Sequence, residues 1–262
     1  MDYFSAFSDA RYLPEDRFMR YSIPKWLKGD GEDAVVICLH GYTATVYEAA
    51  PVAEACFAAG IDAACPLIPG HGLKDEKYSK EVMGGIKYED WLGAIRNEIR
   101  LAREHYKKVF IYGQSMGGAI ALRMAEEGLV DACAVTAPAV KLNKLYELII
   151  GKLSKLGLNY NLHIPATHNL FNESYTYYNS LATTELLKMS HLVRENLSAI
   201  SCPLLACFTP DDDAVDSKGA ADLVREYVKD ARIKWFLGCH CMTLDESAED
   251  VNASIAVFFM KQ

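Results

Sequence analysis

The chain has 262 residues, of which 51% are hydrophobic and 24% charged, and its formal net charge is −8. This length and composition suit one large domain with a buried core. An acidic chain has no general attraction for phosphate backbones or anionic membranes, so we expect no nucleic-acid partner. No apolar run reaches the roughly 18 residues of a membrane span. The first residues carry acidic groups and lack the apolar core of a signal peptide, so we expect a cytoplasmic protein.

Short apolar runs alternate with longer helical patterns, which predicts an α/β fold with a mainly parallel sheet flanked by helices. The predicted strands are 34–39, 63–67, 109–112, 132–137, 204–208 and 233–237, with 18–23 as an additional antiparallel edge strand. The predicted helices are 46–59, 88–105, 116–127, 220–227 and 247–259.

The interval between two of the predicted strands is longer than a crossover connection between parallel strands needs. About 65 residues separate the strand ending at Ala137 from Pro203, and a crossover helix with its loops takes far fewer. We therefore predict that residues 140–190 form an inserted cap, with 1–139 and 191–262 as the core. The amphipathic stretch 141–158 is interpreted as a lid that lines a substrate pocket; the alternative is a helix packed on the main core. The cap tyrosines either contact substrate or pack as amphipathic wall residues.

The segment "IYGQSMGG", residues 111–118, places Ser115 between two glycines. A strand that runs into G-x-S-x-G and then a helix makes a sharp, strained turn with the serine at its tip. Gly113 and Gly117 are small enough to avoid the adjoining strand and helix, and Gly118 lets the helix approach the sheet. The alternative is a serine in an ordinary glycine-rich turn. The pattern favours Ser115 as a nucleophile, which needs a neighbouring base.

Along the chain, the acid should come after Ser115, and the histidine base should come after the acid. His240 lies in the loop "GCHCMTLDES" after the last predicted strand, where the base belongs. The alternatives are an exposed loop histidine and a Cys239–His240–Cys241 metal site, but adjacent ligands converge poorly. No C-x-x-C pair occurs among the eight cysteines, which are interpreted as reduced thiols. We expect neither a metal nor another cofactor.

Three adjacent carboxylates follow the strand 204–208, and one must turn inward to accept the Nδ1–H of His240. We predict that Asp212 does so, with Asp211 and Asp213 as the alternatives. Asp216 is placed to cap the following helix instead.

The oxyanion of an acyl-transfer reaction needs two backbone N–H donors. One is predicted from Met116, directly after the nucleophile, and the other from Tyr42 in the loop "LHGYTA" after the first inner strand. His40 is interpreted as a buried structural residue, and His71 in "IPGHGL" as a residue that fixes a loop near the site.

The segments "VVICLHGYTA", "PLIPGHG", "KYEDWLGAIRNEI", "VFIYGQSMGGAIAL" and "IKWFLGCHCMTLDES" resemble, in style and order, the α/β-hydrolase superfamily. More narrowly, the chain resembles the bacterial carboxylesterase and monoacylglycerol lipase branch of that superfamily, from about residue 33 to the end, without most of the cap. The resemblance places Ser115, Asp212 and His240 at the triad positions. It places Tyr42 and Met116 at the oxyanion positions.

The chain departs from that family at Cys239, where a small residue usually precedes the histidine, and in the cap and the leading 30 residues. The resemblance implies a serine carboxylester hydrolase that acts on short- to medium-chain acyl esters or monoacylglycerols through an acyl-enzyme. A feruloyl-type esterase, a thioesterase or amidase, a cofactor-free perhydrolase and a non-catalytic ligand binder on the same fold are the alternatives. Because His240 must be neutral to act as the base, we expect activity to rise through about pH 6 to 7.

Overall fold

The computed structural model describes residues 5–7, 16–29, 33–143, 158–163 and 170–262. Within these residues the centre of the molecule is a seven-stranded sheet with the order β1-β3-β2-β4-β5-β8-β9. Its strands are β1 (Lys25–Leu27), β2 (Ala34–Leu39), β3 (Asp62–Cys65), β4 (Lys108–Gln114), β5 (Ala132–Thr136), β8 (Leu204–Phe208) and β9 (Ala231–Trp235). A separate antiparallel pair consists of β6 (Asn161–His163) and β7 (Tyr177–Asn179).

Helices cover both faces of the sheet, and their bounds are α1 (Val46–Ala58), α2 (Glu76–Gly85), α3 (Tyr88–Arg103), α4 (Met116–Glu126), α5 (Ser180–Asn196), α6 (Ser217–Tyr227) and α7 (Ala248–Phe259). α1 packs against α7, and α4 packs against α3 and α5. The inner strands β2, β4, β5 and β8 are buried almost throughout, as expected for parallel strands covered on both faces.

The strand order reverses between β2 and β4. The chain leaves β2 for β3 on one side and returns to β4 on the other, and both neighbours run parallel to β2. In open α/β sheets, ligands bind outside the carboxyl ends of the strands at such a switch point. The residues that follow β2 and β4 are His40 and Ser115, so the predicted oxyanion loop and nucleophile lie at this crevice.

The edge strand predicted at residues 18–23 is wrong. The antiparallel edge strand is β1, whose Lys25–Leu27 pairs with β3. Residues 18–23 lie instead against the loop that follows β3, where the Met19 N–H donates to the Gly72 carbonyl at 2.7 Å and Phe18 forms an isolated bridge with Leu73. The apolar character of this segment therefore reflects packing on a loop, not pairing in the sheet.

Most other predicted elements lie within two residues of the observed ones, and β2 and β8 have the predicted bounds. The last strand begins two residues earlier than predicted, because Ala231 pairs with Leu204 in the β8 register. α2 was not predicted, since only Ser79 and Met83 of this helix are buried and it carries little apolar periodicity.

α5 was also not predicted, and it runs without interruption across residue 190, the predicted limit of the cap. Most of the amphipathic stretch predicted at 141–158 lies outside the described residues. In the part of the chain that the structure describes, no helix is long and apolar enough to cross a bilayer.

Candidate active site

Ser115 occupies a sharp turn between the end of β4 and the start of α4. Its backbone has φ 52° and ψ −112°, a region that non-glycine residues rarely adopt. The surrounding chain fixes this conformation, because the Ser115 N–H donates to the Thr136 carbonyl at 3.0 Å and its own carbonyl accepts from Ala139 at 2.9 Å. Strain held in this way is typical of functional positions.

The small residues around the serine are required by close backbone contacts. A Cβ atom on Gly113 would lie 2.1 Å from the carbonyl oxygen of Gly117. A Cβ atom on Gly117 would lie 2.6 Å from the carbonyl oxygen of His40, in the loop after β2. Gly118 approaches Pro138 closely, since its Cβ would lie 3.0 Å from the Pro138 Cα. The glycine pattern thus allows strand, helix and oxyanion loop to meet at one point.

Asp212 is the one of the three adjacent aspartates that contacts His240. The His240 Nδ1–H donates to the Asp212 carboxylate, with 2.9 Å from Nδ1 to each oxygen. The Asp212 side chain is only 1% exposed, and its Oδ1 also accepts the N–H groups of Ala214 at 2.9 Å and Val215 at 2.8 Å. Asp211 is exposed. The Ser217 hydroxyl also donates to Asp212 Oδ2 at 3.4 Å, so contacts from His240, two backbone N–H groups and this hydroxyl hold the carboxylate in the orientation that fixes the His240 ring.

The charges of this pair stabilise each other. Burial acts to raise the pKa of Asp212, but the charge and hydrogen bond of His240 outweigh it, and the net pKa is lowered. Burial acts to lower the pKa of His240, but the charge and hydrogen bond of Asp212, helped by Glu48 and Asp213, raise its net pKa. The site is therefore built to stabilise an imidazolium that forms during a reaction.

The His240 loop is attached to the serine's strand through Gln114. The Gln114 side-chain amide donates to the His240 carbonyl at 2.7 Å, and its oxygen accepts from the hydroxyl of Thr136. Tyr112 in turn hydrogen-bonds to Thr136 at 2.7 Å. On the other side of the histidine, the Cys239 N–H donates to Asp245 at 2.7 Å. These contacts bring the His240 loop to the carboxyl end of β4, beside Ser115.

The predicted oxyanion loop is a tight turn next to the serine. The Ala44 N–H donates to the Gly41 carbonyl at 3.3 Å, and Thr43 has φ 69°. The turn's own hydrogen bond leaves the Tyr42 N–H, at its second position, free for a ligand. A Cβ built on Gly41 would lie only 3.3 Å from the Ser115 Cβ.

Met116 is the first residue of α4, so its N–H has no acceptor within the helix. Of the two predicted oxyanion donors, one therefore lies in a turn that approaches Ser115 closely and the other directly follows Ser115 in the chain.

The two buried histidines near this loop have structural contacts, in agreement with their interpretation from the sequence. His40 donates from Nδ1 to the Gly41 carbonyl at 2.9 Å and accepts the Ile68 N–H at Nε2, 3.1 Å away. His71 donates from Nδ1 to the Pro69 carbonyl at 3.1 Å. Burial lowers the pKa of His40 to about 3 and that of His71 to about 4, so both rings are neutral at pH 7.

The tyrosines of the predicted cap divide into packed and accessible ones. Tyr175 and Tyr177 are each 4% exposed; Tyr175 donates to the Gly70 carbonyl at 2.9 Å, and Tyr177 donates to Ser79 at 2.7 Å. Tyr178 stacks on Tyr42, with 5.6 Å between ring centroids. The packing interpretation therefore holds for Tyr175 and Tyr177, whereas Tyr178 contacts the predicted oxyanion loop through Tyr42.

Three residues of the site were not identified from the sequence: Gln114, Asp245 and Glu48. Glu48 had a usable signal, because it is a single carboxylate on the buried stripe of α1, in helical register with Val52 and Cys56. Gln114 had none, since only the fold brings it to the histidine loop. Asp245 lies in that loop, but nothing in its local pattern indicates its hydrogen bond to the Cys239 N–H.

Comparison with known proteins identifies the relatives of this chain. A family model described as serine aminopeptidase, S33 (Hydrolase_4) matches residues 30–179, which include Ser115 and the oxyanion loop but end before Asp212 and His240. The chain is 26% identical over 240 residues to a thermostable monoacylglycerol lipase of Bacillus sp. (strain H-257), covering 86% of this chain and 90% of the lipase. It is 22% identical over 260 residues to a carboxylesterase of Bacillus subtilis (strain 168), covering 93% and 99% of the two chains.

A solved structure described under "LipS and LipT, two metagenome-derived lipolytic enzymes" superposes with a TM-score of 0.81 at 20% identity. It covers 94% of this chain and 100% of that chain, and it confirms the predicted α/β-hydrolase fold. Because the family model spans more than half of the sequence and includes the strained serine turn, the chain belongs to the serine aminopeptidase S33 family of α/β-hydrolases.

Proposed function

We propose that Ser115, Asp212 and His240 form the catalytic triad of this chain. The chain is a serine ester hydrolase, as its similarity to a monoacylglycerol lipase and a carboxylesterase over most of their lengths supports. The observation that carries the assignment of residues is the hydrogen bond between His240 and a buried Asp212, in a loop fastened through Gln114 to the strand that ends at the strained Ser115. The ring nitrogen Nε2 of His240 is left to accept the serine proton.

In this mechanism His240 takes the proton of the Ser115 hydroxyl as the serine oxygen attacks the ester carbonyl. The carbonyl oxygen becomes an oxyanion and accepts the N–H groups of Tyr42 and Met116. His240 then gives its proton to the leaving alcohol, which departs and leaves an acyl-serine. Water attacks the acyl-serine by the same route and releases the carboxylic acid. Asp212 stays ionised throughout and stabilises the imidazolium.

As substrates we propose short- to medium-chain acyl esters and monoacylglycerols. The support is the similarity to a monoacylglycerol lipase and a carboxylesterase, each covered over most of its length. We also propose that residues 140–190 act as the cap over the site, with Tyr178 and Tyr42 as part of the pocket wall. All eight cysteines are free thiols, which supports a reducing compartment such as the cytoplasm.

The test is a fluorophosphonate probe followed by a substrate panel. We expect the probe to attach to Ser115 and to be lost in Ser115→Ala, while the exposed Ser201→Ala labels like the wild type. Hydrolysis of p-nitrophenyl esters from C2 to C16, a monoacylglycerol and a hydroxycinnamate ester should fall by on the order of 10⁶ in kcat in Ser115→Ala. Full turnover in Ser115→Ala, or labelling at another serine, would contradict the assignment. A preference for the hydroxycinnamate ester would replace the proposed substrate class.

A further inference from the structure

Glu48 is a buried carboxylate behind the candidate site that the mechanism above does not use. It belongs to the first turn of α1 and is 4% exposed. Buried glutamates are rare unless they are paired with donors. This one is surrounded by donors from three separate loops, so its position needs a functional explanation.

One carboxylate oxygen of Glu48 holds the predicted oxyanion loop. Its Oε2 accepts the Gly41 N–H at 2.5 Å. A Cβ placed on Gly41 would lie 2.8 Å from that oxygen and 3.3 Å from the Ser115 Cβ, so Gly41 lies directly between the carboxylate and the serine. The residue whose N–H donates to Glu48, Gly41, immediately precedes Tyr42, and the Tyr42 N–H is the proposed oxyanion donor. The orientation of that donor therefore depends on this hydrogen bond.

The other oxygen of Glu48 contacts the two remaining loops at the site. Its Oε1 accepts the side-chain N–H of Asn172 at 2.8 Å and the thiol of Cys241 at 3.4 Å. Burial, together with the charge of Glu48, raises the pKa of Cys241 well above its ordinary value, so the thiol keeps its proton and remains a donor. Cys241 directly follows His240, and Asn172 lies in the segment that leads to β7. All three partners donate, which is the arrangement that suits an ionised carboxylate.

We propose that Glu48 is a positioning residue for ester hydrolysis: its carboxylate sets the direction of the Tyr42 N–H toward the oxyanion and fixes the His240 loop against it. This inference rests on the proposed function. The charge of Glu48, like those of Asp212 and Asp213, acts to raise the pKa of His240 and so favours the imidazolium that forms when His240 takes the serine proton.

The test compares Glu48→Gln with Glu54→Gln, a matched change on the same helix. The side chain of Glu54 is 62% exposed and forms an ion pair with Lys25 at the surface. An amide at position 48 keeps the size of the side chain, but it turns one acceptor into a donor that faces another donor. Losing an oxyanion donor outright costs about 10²–10³ in kcat. We therefore expect a misdirected donor to cost about 10- to 100-fold in kcat.

The expected pattern separates positioning from a general structural role. In Glu48→Gln, KM for a short ester should stay within about twofold, while binding of an alkylboronic acid, which forms a tetrahedral adduct on Ser115, should weaken in step with kcat/KM. Glu54→Gln should match the wild type in all three quantities. Glu48→Asp, which draws the carboxylate back by one methylene, replaces the amide variant if that variant does not fold.

Two results would overturn the inference while leaving the proposed function intact. In the first, the wild type is active and both Glu48→Gln and Glu48→Asp match it in kcat and in affinity for the boronic acid. The other is a change in KM of the Glu48 variants while their kcat stays at the wild-type value. A wild type without Ser115-dependent ester turnover would instead overturn the proposed function, and this inference with it.

Discussion

Asp212 shows how one side chain among chemically identical neighbours becomes the partner of the base. It accepts His240 Nδ1–H with both oxygens near 2.9 Å, whereas Asp211, one residue earlier, is exposed. We predict that Asp212→Asn lowers kcat by about 10⁴-fold, because the amide favours the wrong tautomer of the imidazole. Asp211→Asn should stay close to the wild type. The check is kcat with a p-nitrophenyl ester, and the reverse pattern would move the acid to Asp211.

The raised pKa of His240 has a direct consequence for activity against pH. The ring must be neutral to accept the Ser115 proton, and a raised pKa keeps it protonated to a higher pH. We therefore predict that the midpoint of the rising limb of kcat/KM lies above about 6.5, the ordinary value for histidine. A profile of kcat/KM from pH 5 to 9 measures it. A midpoint below that value, or no limb at all, would rule out His240 as the base in this environment.

At the scale of elements, the turn from β4 into α4 depends on contacts that only glycine permits. A methyl group on Gly113 would meet the Gly117 carbonyl oxygen at 2.1 Å, so backbone must move to admit it. We predict that Gly113→Ala costs about 1–3 kcal/mol of unfolding free energy, the usual cost of overpacking, together with most of the activity. Urea unfolding and ester turnover provide the two readouts.

Gly93 supplies the matched control for this prediction. It lies inside α3, is exposed, and a Cβ there would meet nothing within 4 Å. Gly93→Ala should stabilise the protein by about 0.5–1 kcal/mol, since alanine is the better helix former, and should leave turnover unchanged. If Gly113→Ala and Gly93→Ala had equal effects, the serine turn would accommodate a methyl group, and the steric conflict inferred at Gly113 would be wrong.

At the scale of the whole molecule, stability should depend on pH through Glu98. This α3 residue is fully buried and accepts the Ala6 N–H at 3.2 Å. Burial raises the pKa of Glu98 to about 8, against the lowering effect of that hydrogen bond. The folded state therefore holds a proton that the unfolded state releases near pH 4.3. Stability from this group is complete below that pH and is lost as pH rises through about 8.

We predict that Glu98→Gln flattens the decline of unfolding free energy between pH 5 and 8, with a gain over the wild type on the order of a few kcal/mol at pH 8. The exposed Glu89→Gln on the same helix should follow the wild-type curve. Urea unfolding at several pH values measures both. Parallel curves for Glu98→Gln and the wild type would show that Glu98 is ionised in the folded protein.

Local sequence determined the elements that carry the chemistry. The apolar runs and the G-x-S-x-G turn identified β4, α4 and Ser115, because strand burial and the steric needs of that turn are properties of a few neighbouring residues. The position of His240 followed from the order of strands along the chain. The antiparallel edge strand was misplaced, since residues 18–23 and Lys25–Leu27 are both apolar enough to pair and only the free edge of β3 selects between them.

Tertiary structure alone decided which groups meet across the site. The sequence favoured Asp212 but left Asp211 and Asp213 as alternatives, and the contact with His240 depends on which carboxylate the folded loop turns toward the ring. Residues 172 and 241 are far in the chain from Gly41 and Glu48, yet the Glu48 carboxylate joins all three of its partners' loops. Hydrogen bonds between distant segments depend on the relative placement of whole elements, which no local pattern encodes. The sequence by itself therefore determined the serine turn between β4 and α4, and the packing of helices on the sheet decided what surrounds it.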